Sequence, residues 1–153
     1  MFCYQCEQAA GGTGCAKVGV CGKDDETSDL QDLLVHVAKG VSQFAHLSAA
    51  LNVTDPTVDR FVIEALFTTV TNVNFDADRI EEIIREGIDI RDEAQRLYER
   101  ACASTGSRRQ YVQGPAVFAP AADRDELLKQ AQSIGIKARQ AAIGEDAAGL
   151  EEL

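Results

Sequence analysis

Four of the five cysteines fall within the first twenty-two residues, at Cys3, Cys6, Cys15 and Cys21, in the spacing C-x2-C-x8-C-x5-C. A C-x2-C pair brings two thiolates onto one metal centre, and two more from a short loop can close the site. Gly11, Gly12, Gly14, Gly19 and Gly22 lie between and after them. Glycine lets the backbone wrap closely and turn its N–H groups inward. Inward N–H groups stabilise negative charge, and an iron–sulfur cluster held by four thiolates is negatively charged. The stretch reads as a compact four-thiolate cradle.

Three other readings compete. A structural zinc ion also takes four thiolates, but zinc ribbons use two C-x2-C-like knuckles. Here the second pair is spread to five intervening residues, which suits a larger cubane better than a single ion. Disulfides are the second alternative. The cysteines begin almost at Met1, with no leader before them, so the expectation is a reducing cytoplasm, where structural disulfides are rare. The third is a chance grouping of four buried thiols, which the clustering disfavours.

The segments Met1-Phe-Cys-Tyr-Gln-Cys-Glu-Gln8, Thr13-Gly-Cys15, Gly19-Val-Cys-Gly-Lys23 and Leu30-Gln-Asp-Leu-Leu34 resemble the N-terminus of hybrid-cluster proteins, also called hydroxylamine reductases. The likeness continues through Leu66-Phe67 and Thr71-Asn72 and, more faintly, to the end of the chain. The resemblance implies that Cys3, Cys6, Cys15 and Cys21 hold a proximal iron–sulfur cluster. In that family a compact cysteine spacing goes with [4Fe–4S] and a wider one with [2Fe–2S]; this sequence has the compact spacing.

The chain has 153 residues, enough for one domain or slightly more, and an ordinary globular composition. No apolar run is long enough to cross a membrane. The formal net charge of −10 repels phosphate backbones, so no nucleic-acid partner is expected.

The elements that position the cysteines are helical. Lys23 to Thr27 reads as a polar link, and Ser28-Asp-Leu-Gln31 matches a capping box. Leu30, Leu33, Leu34, Val37, Val41, Phe44 and Leu51 then recur at helical spacing, predicting a helix over about 29–51. Gly40 interrupts it, at a cost of about 1 kcal/mol relative to Ala, and close helix contact is expected there. Asp55-Pro56 opens a second helix carrying Val58, Phe61, Val62, Ala65, Leu66, Thr69 and Val73. Ile80, Ile83, Ile84, Gly87, Ile90, Ala94, Leu97 and Tyr98 mark a third, ending near Cys102. Asp76 and Asp78 at its start, and Arg96 and Arg100 near its end, suit the helix dipole.

The expected architecture is all-α. A cysteine-rich cluster-binding loop (1–28) precedes an antiparallel three-helix bundle (29–103). A connector, a short helix capped by Asp123 and the truncated start of a second bundle follow (104–153). Ser133 to Ile136 reads as a turn, and Lys137 to Ala148 as weakly structured. Leu150-Glu-Glu-Leu153 echoes Leu30-Gln-Asp-Leu33. In the resembling family the N-terminal domain holds two three-helix bundles, and the second begins about here.

Elsewhere the chemistry is sparse. His36 and His46, the only histidines, lie ten residues apart on one helix, about 15 Å by helical rise, too far to share a metal. Cys102 reads as a small buried apolar residue. Glu64, Glu81, Glu82, Glu86 and Glu93 lack the Glu-x-x-His motif of carboxylate metal sites and read as a solvated face. Arg108-Arg109 reads as part of a solvated loop. Phe2 and Tyr4 flank the cysteines and could shield a cluster or simply pack. No phosphate loop, dinucleotide fingerprint or nucleophile elbow occurs.

The resembling enzymes reduce hydroxylamine to ammonia, and also nitric oxide, at a second, mixed iron–sulfur–oxygen cluster. Its His, Glu and Cys ligands come from later domains. With one cysteine to spare, this chain is expected to be the electron-relay portion of such an oxidoreductase, a fragment or a truncated product without catalytic residues of its own. The hybrid cluster would belong only to a full-length parent. The implied partners are an electron-donor protein and the parent's remaining domains. The alternatives are a stand-alone iron–sulfur carrier or redox sensor, and a zinc-stabilised interaction domain.

Overall fold

The computed structural model describes residues 3, 5–6, 10–12, 14–70, 72–144 and 146–147. It is all-α: among the described residues there is no strand, and five α-helices follow the cysteine-rich loop. These are α1 (Asp25–Ala49), α2 (Pro56–Thr68), α3 (Ala77–Thr105), α4 (Arg124–Ile134) and α5 (Ile136–Ile143). The helix stripes read from the sequence supply the core. Leu30, Leu33, Leu34, Val37, Val41 and Phe44 of α1 meet Val58, Phe61 and Ala65 of α2 and Ile80, Ile84, Ala94 and Tyr98 of α3. A fully buried leucine is worth about 1.5–3 kcal/mol, so the three leucines of α1 are a major part of the stabilisation.

The first helix starts earlier than the capping-box reading places it. Asp24 is the N-cap, its carboxylate accepting the Thr27 N–H at 2.8 Å. Ser28 lies inside the helix and is buried, and Gln31 turns away to hydrogen bond elsewhere. Asp24, read as part of a polar link, takes the cap instead, and Thr27 and Ser28 are buried within the first turn. The Thr27 hydrogen bonds hold the Asp24 carboxyl below the usual carboxylate range. Asp24→Ala is expected to cost about 1 kcal/mol at neutral pH, a typical loss for an N-cap. The sign with pH follows: a depressed folded pKa gives stability that is present above the unfolded pKa and lost as pH falls through the folded one. Urea midpoints from pH 7 down to pH 3 check this, the gap between wild type and variant closing at the acid end.

Asp55, with Pro56 in the first turn, caps α2 through the Thr57 N–H at 2.7 Å. Asp76 caps α3, accepting from Asp78 and Arg79. The α2 stripe is only partly inward: Leu66 and Val73, read as core, are exposed together with Ile63, Phe67 and Val70.

The connector after α3 packs against the bundle. A single helical turn, Gly114–Val117, crosses α1. A Cβ on Gly40 would lie 2.4 Å from the Pro115 carbonyl oxygen. The glycine in α1 is therefore matched by a crossing backbone, where the sequence reading expected another helix. Arg85 of α3 donates to the carbonyls of Ala121 and Ala122, and Arg91 donates to that of Phe118. Ala116, Leu127 and Ala131 extend the same core. Asp123 caps α4 through the Glu126 N–H at 3.2 Å. Arg124 joins three elements through Glu26 at 2.9 Å, Asp78 at 2.5 Å and Glu81 at 3.3 Å.

The stretch from Ile136 to Ile143 is helical, where the sequence reading had a turn at 133–136 and weak structure beyond. None of its residues is buried, so it has no apolar stripe to read. Gly135 makes the break, with extended backbone and its N–H bonded to the Ala131 carbonyl at 2.9 Å. The echo at 150–153 lies outside the described residues, as do positions 2, 4 and 71.

Candidate metal centre

The cysteine-rich loop closes on itself just before α1. The Gly19 N–H donates to the Lys23 carbonyl at 2.7 Å and the Gly22 N–H to the Gly19 carbonyl at 2.8 Å. This tight reversal folds Cys21 back over Gly19. A Cβ on Gly19 would stand 3.0 Å from the Lys23 carbonyl oxygen and 3.3 Å from Cys21 Sγ, so a side chain there would crowd the reversal. Gly22 completes the turn at φ +91°, a conformation costly for any other residue.

The reversal, together with the start of the chain, brings Cys3, Cys6, Cys15 and Cys21 onto the wall of one cavity of about 340 Å³. Gly19, Lys23 and Asn72 line it as well. All four cysteines are free thiols, Cys15 buried, Cys3 and Cys21 half-buried and Cys6 exposed. Among the described residues no three His, Cys, Asp or Glu side chains are grouped closely enough to hold a single metal ion. The cavity is about ten times the volume a water molecule occupies in the liquid, roughly 30 Å³, so it has room for a polyatomic group among the four sulfurs. Four soft donors, with no carboxylate among the described lining residues, suit iron–sulfur chemistry.

Two lining residues escaped the sequence reading. Lys23 was taken as the start of a polar link, yet it is 1 % exposed. Its ammonium donates to Gln31 Oε1 and lies 5.8 Å from the centroid of the Phe75 ring. Gln31 in turn donates to the Asn74 carbonyl at 2.8 Å, tying the cysteine loop through α1 to the α2–α3 link. Asn72, in that link, has the left-handed φ of 65°. The signal for Lys23 was its place two residues after Cys21, ahead of an acidic run.

The remaining candidates take no part. Cys102 is buried in the bundle core. His46 is exposed. His36 is half-buried, edge-on to Phe118 at 5.2 Å, and burial, aided by Lys39 and Arg139, pushes its pKa down. Of the acidic residues read as a solvated face, Glu82 pairs with Arg79, and Glu93 with Arg96 and Arg100, at the surface. Glu81 departs from that reading: its side chain is 18 % exposed between Arg85 and Arg124. Arg109 pairs with Glu99 at 3.0 Å on the exposed loop. No helix among the described residues is long and apolar enough to cross a membrane.

Comparison with known proteins agrees with the resemblance carried by the cysteine motif. The chain is 45% identical over 153 residues to a hydroxylamine reductase of Rhodospirillum rubrum. It is 43% identical over 157 residues to one of Acidithiobacillus ferrooxidans and 40% identical over 153 to one of Methanocella arvoryzae. Each alignment takes in the whole of this chain but only 27–28% of the relative's length. The Prismane/CO dehydrogenase family matches residues 1–153, and with that match from end to end the chain belongs to this family of hybrid-cluster oxidoreductases.

Proposed function

We propose that this chain is the electron-relay portion of a hydroxylamine-reductase-type oxidoreductase, with one [4Fe–4S] cluster held by Cys3, Cys6, Cys15 and Cys21. The observation that carries the reading is the single cavity walled by all four thiols, beside a tight reversal at Gly19 that a side chain would crowd. When bound, a four-thiolate cluster supplies one-electron transfer at a potential set by its charge, hydrogen bonds and burial. The chain's own residues do the holding. The Gly19–Lys23 reversal fixes Cys21, burial of Cys15 screens one side from water, and the exposed Cys6 leaves another open to a partner. Reduction of hydroxylamine to ammonia consumes two electrons and two protons, so a relay of this kind acts twice per turnover. The substrate-binding cluster, with the ligands it requires, belongs to the remainder of a parent protein of the length of the relatives. An electron-donor protein and those remaining domains are the partners.

Anaerobic expression followed by iron, sulfide and zinc analysis tests the proposal. About four irons and four sulfides per chain, with a brown colour, are expected for a cubane on four thiolates. Stoichiometric zinc without iron would overturn it. The loaded chain should be reduced and reoxidised reversibly, yet form no ammonia from hydroxylamine with reduced methyl viologen as donor. Four thiolates on four irons leave no open position for substrate.

A further inference from the structure

Among the described residues Lys23 is the most deeply buried charged side chain near the cysteines, and the relay reading alone gives it no role. An ammonium removed from water is costly unless it is paired or hydrogen-bonded. Among the described residues Lys23 makes no ion pair with a carboxylate; its contacts there are the neutral Gln31 amide and the Phe75 ring. It also lines the cavity that the four cysteines share. Four thiolates bring a concentrated negative charge to that cavity, and a cluster on them keeps a net negative charge. A buried cation on the cavity wall offsets that charge. The same low-dielectric surroundings that make the lone ammonium costly strengthen its attraction to the site.

We propose that Lys23 is the built-in counter-charge of the cysteine site: its ammonium, held by Gln31 and Phe75, raises the reduction potential of the bound cluster and favours its assembly. The inference rests on the relay reading, since it needs a cluster on the four cysteines. Lys23 is a positioning residue in this role and touches no reacting atom. A cation beside a redox centre stabilises the form with one more electron, so removing it makes reduction harder. The Gln31–Asn74 hydrogen bond explains how the ammonium keeps its place, because Gln31 has its amide N–H fixed by a backbone carbonyl and its oxygen left for lysine.

The test is a mediated redox titration of the anaerobically loaded chain, with dithionite as reductant and ferricyanide as oxidant, followed by the reduced-cluster electron paramagnetic resonance signal. Lys23→Met and Lys23→Gln remove the charge, the second keeping an amide to meet Gln31; Lys23→Arg keeps the charge. Both neutral variants are expected to lower the reduced-to-oxidised ratio at a fixed potential about tenfold, about 59 mV for a one-electron couple. Arg should stay near wild type. A neutral variant that loads fully and titrates at the wild-type potential would overturn the proposal. Should neither neutral variant load while Arg does, the charge is required for assembly, which supports it. Failure of all three to load would assign Lys23 to loop shape and overturn it. Absence of iron from wild-type protein would instead remove the relay reading itself.

Discussion

Cys15→Ser is expected to strip the cluster from the anaerobically prepared chain, leaving well under half of the wild-type iron, while Cys102→Ser retains it. The two residues are both buried thiols, so composition and accessibility do not distinguish them. Position does. Cys15 shares a cavity wall with Cys3, Cys6 and Cys21, whereas Cys102 sits in the core with the helix residues. Losing one of four thiolates replaces a soft ligand by a hydroxyl that iron–sulfur centres do not favour. Cys102→Ser acts through stability, placing a polar hydroxyl in the core and costing about 1–3 kcal/mol if it finds no partner. Iron per chain and thermal midpoint should therefore move oppositely between the variants: iron falls most in the first, the apo-protein midpoint most in the second. Equal iron loss in both would mean that the ligand set is wrong.

Gly40→Ala is expected to destabilise the chain, although helix propensity alone predicts a gain of about 0.8–1.0 kcal/mol. The methyl would meet a backbone carbonyl oxygen at 2.4 Å, and no side-chain rotation can relieve that contact. Overpacking of this kind costs about 1–3 kcal/mol, and a backbone target places it toward the upper end, so the net change is a loss. At about 2–4 °C per kcal/mol for a chain of this size, a fall of several degrees in Tm should be seen. Gly106→Ala serves as a contrast: no atom lies within 4 Å of its Cβ, and its loss comes only from the left-handed φ of 68°. A Tm for Gly40→Ala at or above wild type would show that the connector does not cross α1 where the structure has it.

The fold was legible where a stripe of apolar residues repeated at helical spacing. Leu30 through Phe44 and Ile80 through Tyr98 went inward as read, because a periodic stripe leaves a helix only one face to bury. It was least legible where single contacts decide. Ala116 is the one fully buried residue the connector brings to the core, with Val112, Phe118 and Ala121 packed beside it, and the connector's carbonyls are held by Arg85 and Arg91 from a distant helix. A reading along the chain cannot see pairs separated by 36 or 27 positions. No residue of helix α5 is fully buried, so no pattern announced it. In the cavity, the four cysteines stood out by type and spacing. Lys23 did not, since lysine followed by an acidic run is the ordinary signature of a solvated turn, and only the Gly19–Lys23 reversal carries it inward.

The crossing of the connector over Gly40 also orders the assembly of the molecule. Helices α1, α2 and α3 follow one another through short links, so their docking closes small loops. Seating Pro115 against Gly40 closes a much longer one, and loop-closure entropy grows by about 0.6 kcal/mol with each doubling of length. The bundle can form first, and the connector with α4 then straps across it. Native-state opening is expected to run in the reverse direction, the strap lifting before the three-helix bundle. Gly40 is thus a seat as well as a gap in a helix, and the strap it receives spans the outside of the same α1 whose first turn follows the cysteine loop.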